Sequence, residues 1–149
     1  MTSKLTWNEF VSNVQQWSTE RGIYEHSTAT AQLLKAFSEA GELADAVIKN
    51  DIDGLKDAIG DVAVCVVNFA FMTSQNTSID LRETPFEDLS AEVPMLFKSL
   101  FEQEVYSILE DLVIISNTAK LDFLECCTLA WNEIKDRKGR MVEGGAFVK

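Results

Sequence analysis

Two acidic pairs give this sequence its chemistry. Glu39 and Glu42 stand three residues apart in "SEAGELADAV", and Asp57 and Asp61 stand four apart in "DAIGD". In a helix either spacing puts both side chains of a pair on one face. Carboxylates from two facing helices suit a hard divalent cation such as Mg²⁺, which takes oxygen ligands in near-octahedral geometry and keeps part of its shell for water and phosphates. The competing reading is solvated surface charge, the ordinary content of the polar side of an amphipathic helix. For Glu39 and Glu42 alone that reading suffices. Asp61 tips the balance, because it and Asn68 are set among Val62, Val64, Cys65, Val66, Val67 and Phe69, where an unpartnered charge is expensive. A di-iron bundle needs Glu-x-x-His motifs, and the single histidine, His26, lies outside both acidic stretches.

These pairs need helices beneath them. Thr6 and Glu9 make a capping-box pattern, and Trp7, Phe10, Val11, Val14 and Trp17 recur at helical spacing until Gly22, which predicts a first helix over 7–21. "GIYEHST" reads as a connection. From 30 to 50, Leu33, Phe37, Ala40, Ala44 and Val47 form a buried stripe, with Gln32, Lys35, Glu39 and Glu42 as a polar row on another side. "NDIDG" is a turn with cap candidates, short enough to set the next helix, over 55–72, antiparallel to the second. The two acidic pairs then face each other.

Residues 73–92 are polar, contain Pro85, and read as a loop serving as a lid or an insertion. Apolar spacing predicts a fourth helix over 96–115 and a fifth over 121–138. The fold class is all-α, an antiparallel bundle of four to five helices in a single domain over 1–149.

Composition narrows the partners. Of 149 residues, 24 are Asp or Glu and 13 are Lys or Arg, giving a formal charge of −11. Such a surface repels a nucleic-acid polymer, although small anions still bind where a divalent cation bridges them to carboxylates. The basic residues gather at the end: 135–149 holds Lys135, Arg137, Lys138, Arg140 and Lys149 against Asp136 and Glu143. Three cysteines, Cys65, Cys126 and Cys127, have neither disulfide-framework nor metal-ligand spacing. With no apolar leader and no run long enough to span a bilayer, the expected location is the cytoplasm, with no membrane partner.

At the acidic pairs the sequence resembles the MazG-like all-α nucleoside triphosphate pyrophosphohydrolase superfamily, in its small phage and prophage type. That family's pattern is Glu-x-x-Glu followed by Glu-x-x-Asp on the next helix. Here Glu39-Ala40-Gly41-Glu42 supplies the first half; in the second, Ile59-Gly60-Asp61 fits but Ala58 stands at the glutamate position, and Ser38 stands where many members have a further glutamate. The resemblance extends through "QQWSTERGI" and "WNEIKDRKGRMVEGGAFVK" and is weakest over 73–105.

The resemblance implies Mg²⁺-dependent hydrolysis, with Mn²⁺ as a substitute, of a nucleoside or deoxynucleoside triphosphate to monophosphate and pyrophosphate, in control of nucleotide pools. The implied metal ligands are Glu39, Glu42, Asp57 and Asp61, with Asp57 standing in for the glutamate absent at 58. Glu39 or Glu42 is the candidate to orient or deprotonate the attacking water. Lys35, Lys135, Arg137, Lys138 and Arg140 are candidates to hold phosphates. Asn13, Trp17, Gln32 and Asn68 are candidates to hold the base, with a purine (dGTP or GTP) as the first expectation and His26 nearby. Each also has a plainer role: Trp17 in the core, Asn68 in a bond across the bundle, the basic tail as a solvated helix end. The resemblance also implies a homodimer or homotetramer. The missing glutamates at 38 and 58 motivate the alternative, a catalytically inactive helical module that binds a nucleotide or a partner protein.

Overall fold

Capping sets where the helices begin. Thr6 starts α1 (Trp7–Glu20) with a complete capping box, Thr6 Oγ1 accepting from Glu9 N at 3.1 Å and Glu9 Oε1 from Thr6 N at 2.9 Å. The computed structural model describes residues 3–82, 84–85 and 88–148, and at Arg140 the backbone alone. Thr28 caps α3 (Ala29–Lys49), accepting from Ala31 N at 3.0 Å. Asn50 ends α3 in the left-handed region (φ 53°), and Asp51 at once caps α4 (Ile52–Met72) by accepting from Gly54 N at 3.0 Å. This two-residue reversal makes α3 and α4 an antiparallel hairpin of two 21-residue helices, the most extensive helix contact in the chain.

α4 is the axis of the bundle. It packs against α1 and α3, and against α6 (Val105–Thr118) and α7 (Phe123–Ile134), so Ile59, Val62, Ala63, Val66, Val67 and Ala70 are all buried. Its close approach to α7 depends on Gly60, where an added Cβ would collide with the backbone carbonyl of Cys126 and lie 2.8 Å from Ala130 Cβ. Among the described residues there are seven helices, against the four to five expected, and no helix is long and apolar enough to cross a membrane.

The extra helices have local causes. "GIYEHST", read as a connection, holds the one-turn α2 (Ile23–His26) between Gly22 at φ 75° and Ser27. The expected fourth helix over 96–115 is two helices, α5 (Leu89–Glu102) and α6, separated where Gln103 turns left-handed at φ 61°. The reversal lets Leu96 and Leu100 on one side meet Ile108 and Leu112 on the other. α5 also starts seven residues earlier than expected, capped by Asp88 and carrying Pro94 on its exposed side.

The fifth helix is shorter than its apolar spacing predicts. α7 stops at Ile134, and the chain returns as a small antiparallel hairpin of β1 (Arg140–Met141) and β2 (Phe147–Val148). Between α5 and α6 a pair of carboxyl groups is sealed in the core. Glu92 and Asp111 are buried, and Ser99 Oγ donates to Asp111 Oδ2 at 2.5 Å. All three cysteines are free and buried.

Candidate active and metal site

The α3–α4 hairpin brings the first acidic pair against the end of the second. Carboxylate oxygens of Glu39, Glu42 and Asp61 lie within 4.8 Å of one another. Oxygens sharing one Mg²⁺ at 2.0–2.1 Å are at most about 4.2 Å apart, so small side-chain rotations would gather all three. Glu39 is half-buried, and its Oε2 is sealed from solvent with no hydrogen-bond partner. An orphaned buried carboxylate oxygen needs a cation or a proton. Burial first, then the charges of Asp61 and Glu42, push Glu39 up to about 7 against the pull of Lys35. Burial, then Glu133, Asp57 and Glu42, push Asp61 up to about 6 against the pull of Arg137. The donor set, oxygen-only and mutually repelling, fits a hard divalent ion.

Asp57 is exposed and stands outside the three-oxygen group, although its charge reaches Asp61. Ala58, at the position where the resemblance puts a glutamate, is buried at 2% exposure, and Ser38 is exposed.

Behind the carboxylates is a cavity of about 120 Å³ whose wall includes Glu39, Asp61, Lys35 and Arg137. Three of the base candidates, Trp17, Gln32 and Asn68, line it too. Gln32, first of the polar row, is buried and donates from Nε2 to Ser27 Oγ at 3.0 Å. Asn68 bonds across the bundle, accepting from Ser18 Oγ and Tyr24 Oη, both at 2.7 Å.

The remaining candidates lie elsewhere. Asn13 and Lys135 line a separate shallow groove between α1 and α7, and Lys138 is exposed and lines neither. The Arg140 side chain lies outside the described residues. His26 is exposed, beside Glu25 at 3.7 Å, and is not on the cavity wall. Nor are the described residues of the 73–88 loop. Trp7 Nε1 ties that loop to the start of α1 by donating to Thr77 O at 2.6 Å. A larger cleft of about 500 Å³, lined by Lys4, Lys56 and Lys120, occupies another face of α7 and contains none of the acidic group.

Several residues of the site were not singled out from the sequence. Glu133 on α7 lines the cavity and acts on Asp61. Phe147, on β2, meets Trp17 edge to face at 5.3 Å and closes the cavity from the hairpin side. The hairpin is held by Ser27 Oγ donating to Gly145 O at 2.6 Å. Gly145 needs its φ of 88°, and a Cβ there would lie 2.9 Å from Ala31 Cβ. Arg21 fastens α1 to the end of α7, donating from Nε to Arg137 O at 2.9 Å. The signal for the hairpin was the glycine pair in "EGGAF"; nothing in the sequence links Glu133 to Asp61.

An all-α chain with an acidic group at the mouth of a polar cavity is the class that fold and site define. Residues 26–88, which hold α3 and α4, match the model of the MazG nucleotide pyrophosphohydrolase domain. The chain is also 38% identical over 68 residues to an "Uncharacterized 18.2 kDa protein in rep-hol intergenic region" of Haemophilus phage HP1 (strain HP1c1). That match covers 46% of this chain and 40% of the phage protein. No solved structure matches the chain.

Proposed function

We propose that the chain is a divalent-metal-dependent nucleoside triphosphate pyrophosphohydrolase, with Mg²⁺ as the ion and Mn²⁺ as a substitute. The observation that carries this reading is the juxtaposition of Glu39, Glu42 and Asp61 at the mouth of a cavity lined by Lys35 and Arg137. Glu39, Glu42 and Asp61 would hold the ion, with Asp57 as an outer carboxylate. A bound divalent ion offsets phosphate charge and lowers the pKa of coordinated water.

The chain's own groups do the rest. Lys35 and Arg137 bind phosphate oxygens, Arg137 able to grip two at once. Glu42, the exposed member of the trio, or Glu39, the half-buried one, orients a water and takes its proton. Water oxygen bonds to the α-phosphorus, the bond from that phosphorus to the bridging oxygen breaks, and pyrophosphate leaves. Phe147 and the hairpin limit solvent behind the base. The work is control of a nucleotide pool in the cytoplasm, a host cytoplasm for a phage-type protein.

A pyrophosphate-release screen over the common nucleotides with Mg²⁺ tests this. Asp61→Asn and Glu39→Gln should each lose at least about 100-fold in turnover, the scale for removing one preorganised electrostatic group, and both should weaken Mn²⁺ binding by calorimetry. Unchanged turnover in both variants would refute the assignment. The buried Ala58 favours a second reading, an inactive nucleotide-binding module, which expects no pyrophosphate from any nucleotide.

A further inference from the structure

We infer that Arg21 is a positioning residue for phosphate binding: it grips the backbone of Arg137 and so keeps that side chain on the cavity wall. This rests on the pyrophosphohydrolase reading above and deepens it, because Arg21 itself is not among the residues lining that cavity. The charged groups on the described wall are three carboxylates, Glu39, Asp61 and Glu133, and two cations, Lys35 and Arg137. With carboxylates engaged by a divalent ion, the two cations are what remains to meet phosphate oxygens.

The two cations are held very differently. Lys35 stands inside the 21-residue helix α3. Arg137 lies beyond the end of α7 at Ile134 and before β1 opens at Arg140. Its N–H donates to Ile134 O at 2.8 Å, which closes one turn, and its carbonyl belongs to neither helix nor ladder. A segment with so few backbone bonds of its own opens easily. What holds it is Arg21, at the C-terminal end of α1, whose Nε donates to Arg137 O at 2.9 Å.

The rest of the Arg21 side chain serves the same grip. Nη2 reaches Lys135 O at 3.4 Å, so one guanidinium plane spans the carbonyls of both residues. Its carbon lies 5.0 Å from the centre of the Trp17 ring, and Trp17 is on the cavity wall. The side chain is 16% exposed, and its acidic neighbour Glu20, at 3.3 Å, meets Nη1 and leaves Nε to the carbonyl. A planar fork can make both carbonyl bonds while lying on an indole face; a lysine carries the charge without the fork. The cation also sits where the carbonyls at the end of α7 concentrate negative potential. Arg21 therefore joins the aromatic wall of the cavity to the segment that carries Arg137.

The test is a double-mutant cycle on the binding of magnesium pyrophosphate, the leaving product, to the full chain by calorimetry, with thermal melts of every variant. Arg137→Gln should weaken binding about tenfold or more, the scale of a hydrogen bond between charged groups. Arg21→Gln should weaken it about fivefold, and the double variant should bind no more weakly than Arg137→Gln alone. An Arg21 that only stabilised the fold would instead add its cost to that of Arg137→Gln. Arg21→Lys, which keeps the charge and loses the fork, should stay weakened, which separates a grip on the backbone from charge acting at a distance; it also carries the test if Arg21→Gln does not fold. Parent-like binding in Arg21→Lys, or the same loss from Arg21→Gln with and without Arg137, overturns the inference and leaves the reading of the site standing. A parent chain that neither binds pyrophosphate nor releases it from any nucleotide overturns both.

Discussion

Replacing Glu92 by Gln should flatten the dependence of stability on pH. Glu92 is 1% exposed between α5 and α6. Burial, then its hydrogen bond to Asp111, then the charges of Asp111 and Glu110, push it up to about 8. Asp111 is also raised by burial, against the pull of its bonds from Ser99 and Glu92. Both Glu92 oxygens are sealed without any other hydrogen-bond partner, so the pair holds one proton between its two carboxyl groups. An acid raised in the folded state gives stability that is fully present below its unfolded pKa and is lost as pH rises through its folded value. The window here runs from about pH 4.5 to about pH 8. Inside it the folded chain holds up to one more proton at this site than the unfolded chain, a slope of at most about 1.4 kcal/mol per pH unit.

Gln puts an N–H donor in place of the carboxyl O–H beside Asp111 at every pH. In urea, with a slope of about 1–3 kcal/mol per molar, removing one proton's worth of linkage changes the drift of the midpoint by roughly 0.5–1.4 M per pH unit. Glu39 and Asp61, raised as well, contribute to the drift in both proteins and cancel in the difference. Urea melts of the parent and Glu92→Gln across this window read the effect directly. Equal drift in the two proteins would refute the shared-proton account of the pair.

Other outcomes follow from packing. Gly60→Val should cost about 3 kcal/mol or more in urea melts, because the obstacle is the Cys126 backbone rather than a movable side chain. Gly41→Ala, at a helical position with nothing within 4 Å, should instead gain about 0.5–1 kcal/mol. We expect a homodimer or homotetramer, since Phe101 and Tyr106 at the α5–α6 reversal are 78% and 57% exposed. Light scattering checks it, and a monomer at micromolar concentration would contradict it.

The α3–α4 hairpin was legible because every level of the sequence agreed there. Thr28, Asn50 and Asp51 mark the ends, the apolar stripe has helical period, and the reversal is too short for any other geometry. The grouping of Glu39, Glu42 and Asp61 followed from the same pattern. The break at Gln103 was not legible, since neither Gln103 nor Glu104 is a turn-forming residue and apolar spacing continues across both. Tertiary packing of α5 on α6 imposes the left-handed backbone there. The polar wall of the cavity was only half visible. Asn68 stood out as the polar residue of an apolar helix, whereas Tyr24 and Ser27, which hydrogen-bond with Asn68 and Gln32, sit in a segment that reads as a loop. The basic tail drew attention by charge, yet Arg137 is its single described basic side chain on the cavity wall, where Phe147 matters for packing.

The proposed reaction has water attacking the α-phosphorus of a nucleoside triphosphate at Glu39, Glu42 and Asp61. Hydrolysis in ¹⁸O-labelled water with Mg²⁺, followed by ³¹P NMR of the products, tests it most directly. Attack at the α-phosphorus leaves one labelled oxygen on the nucleoside monophosphate and unlabelled pyrophosphate, and the reaction should be lost in Asp61→Asn. Label appearing in pyrophosphate or in orthophosphate, or no reaction with any nucleotide, would contradict it.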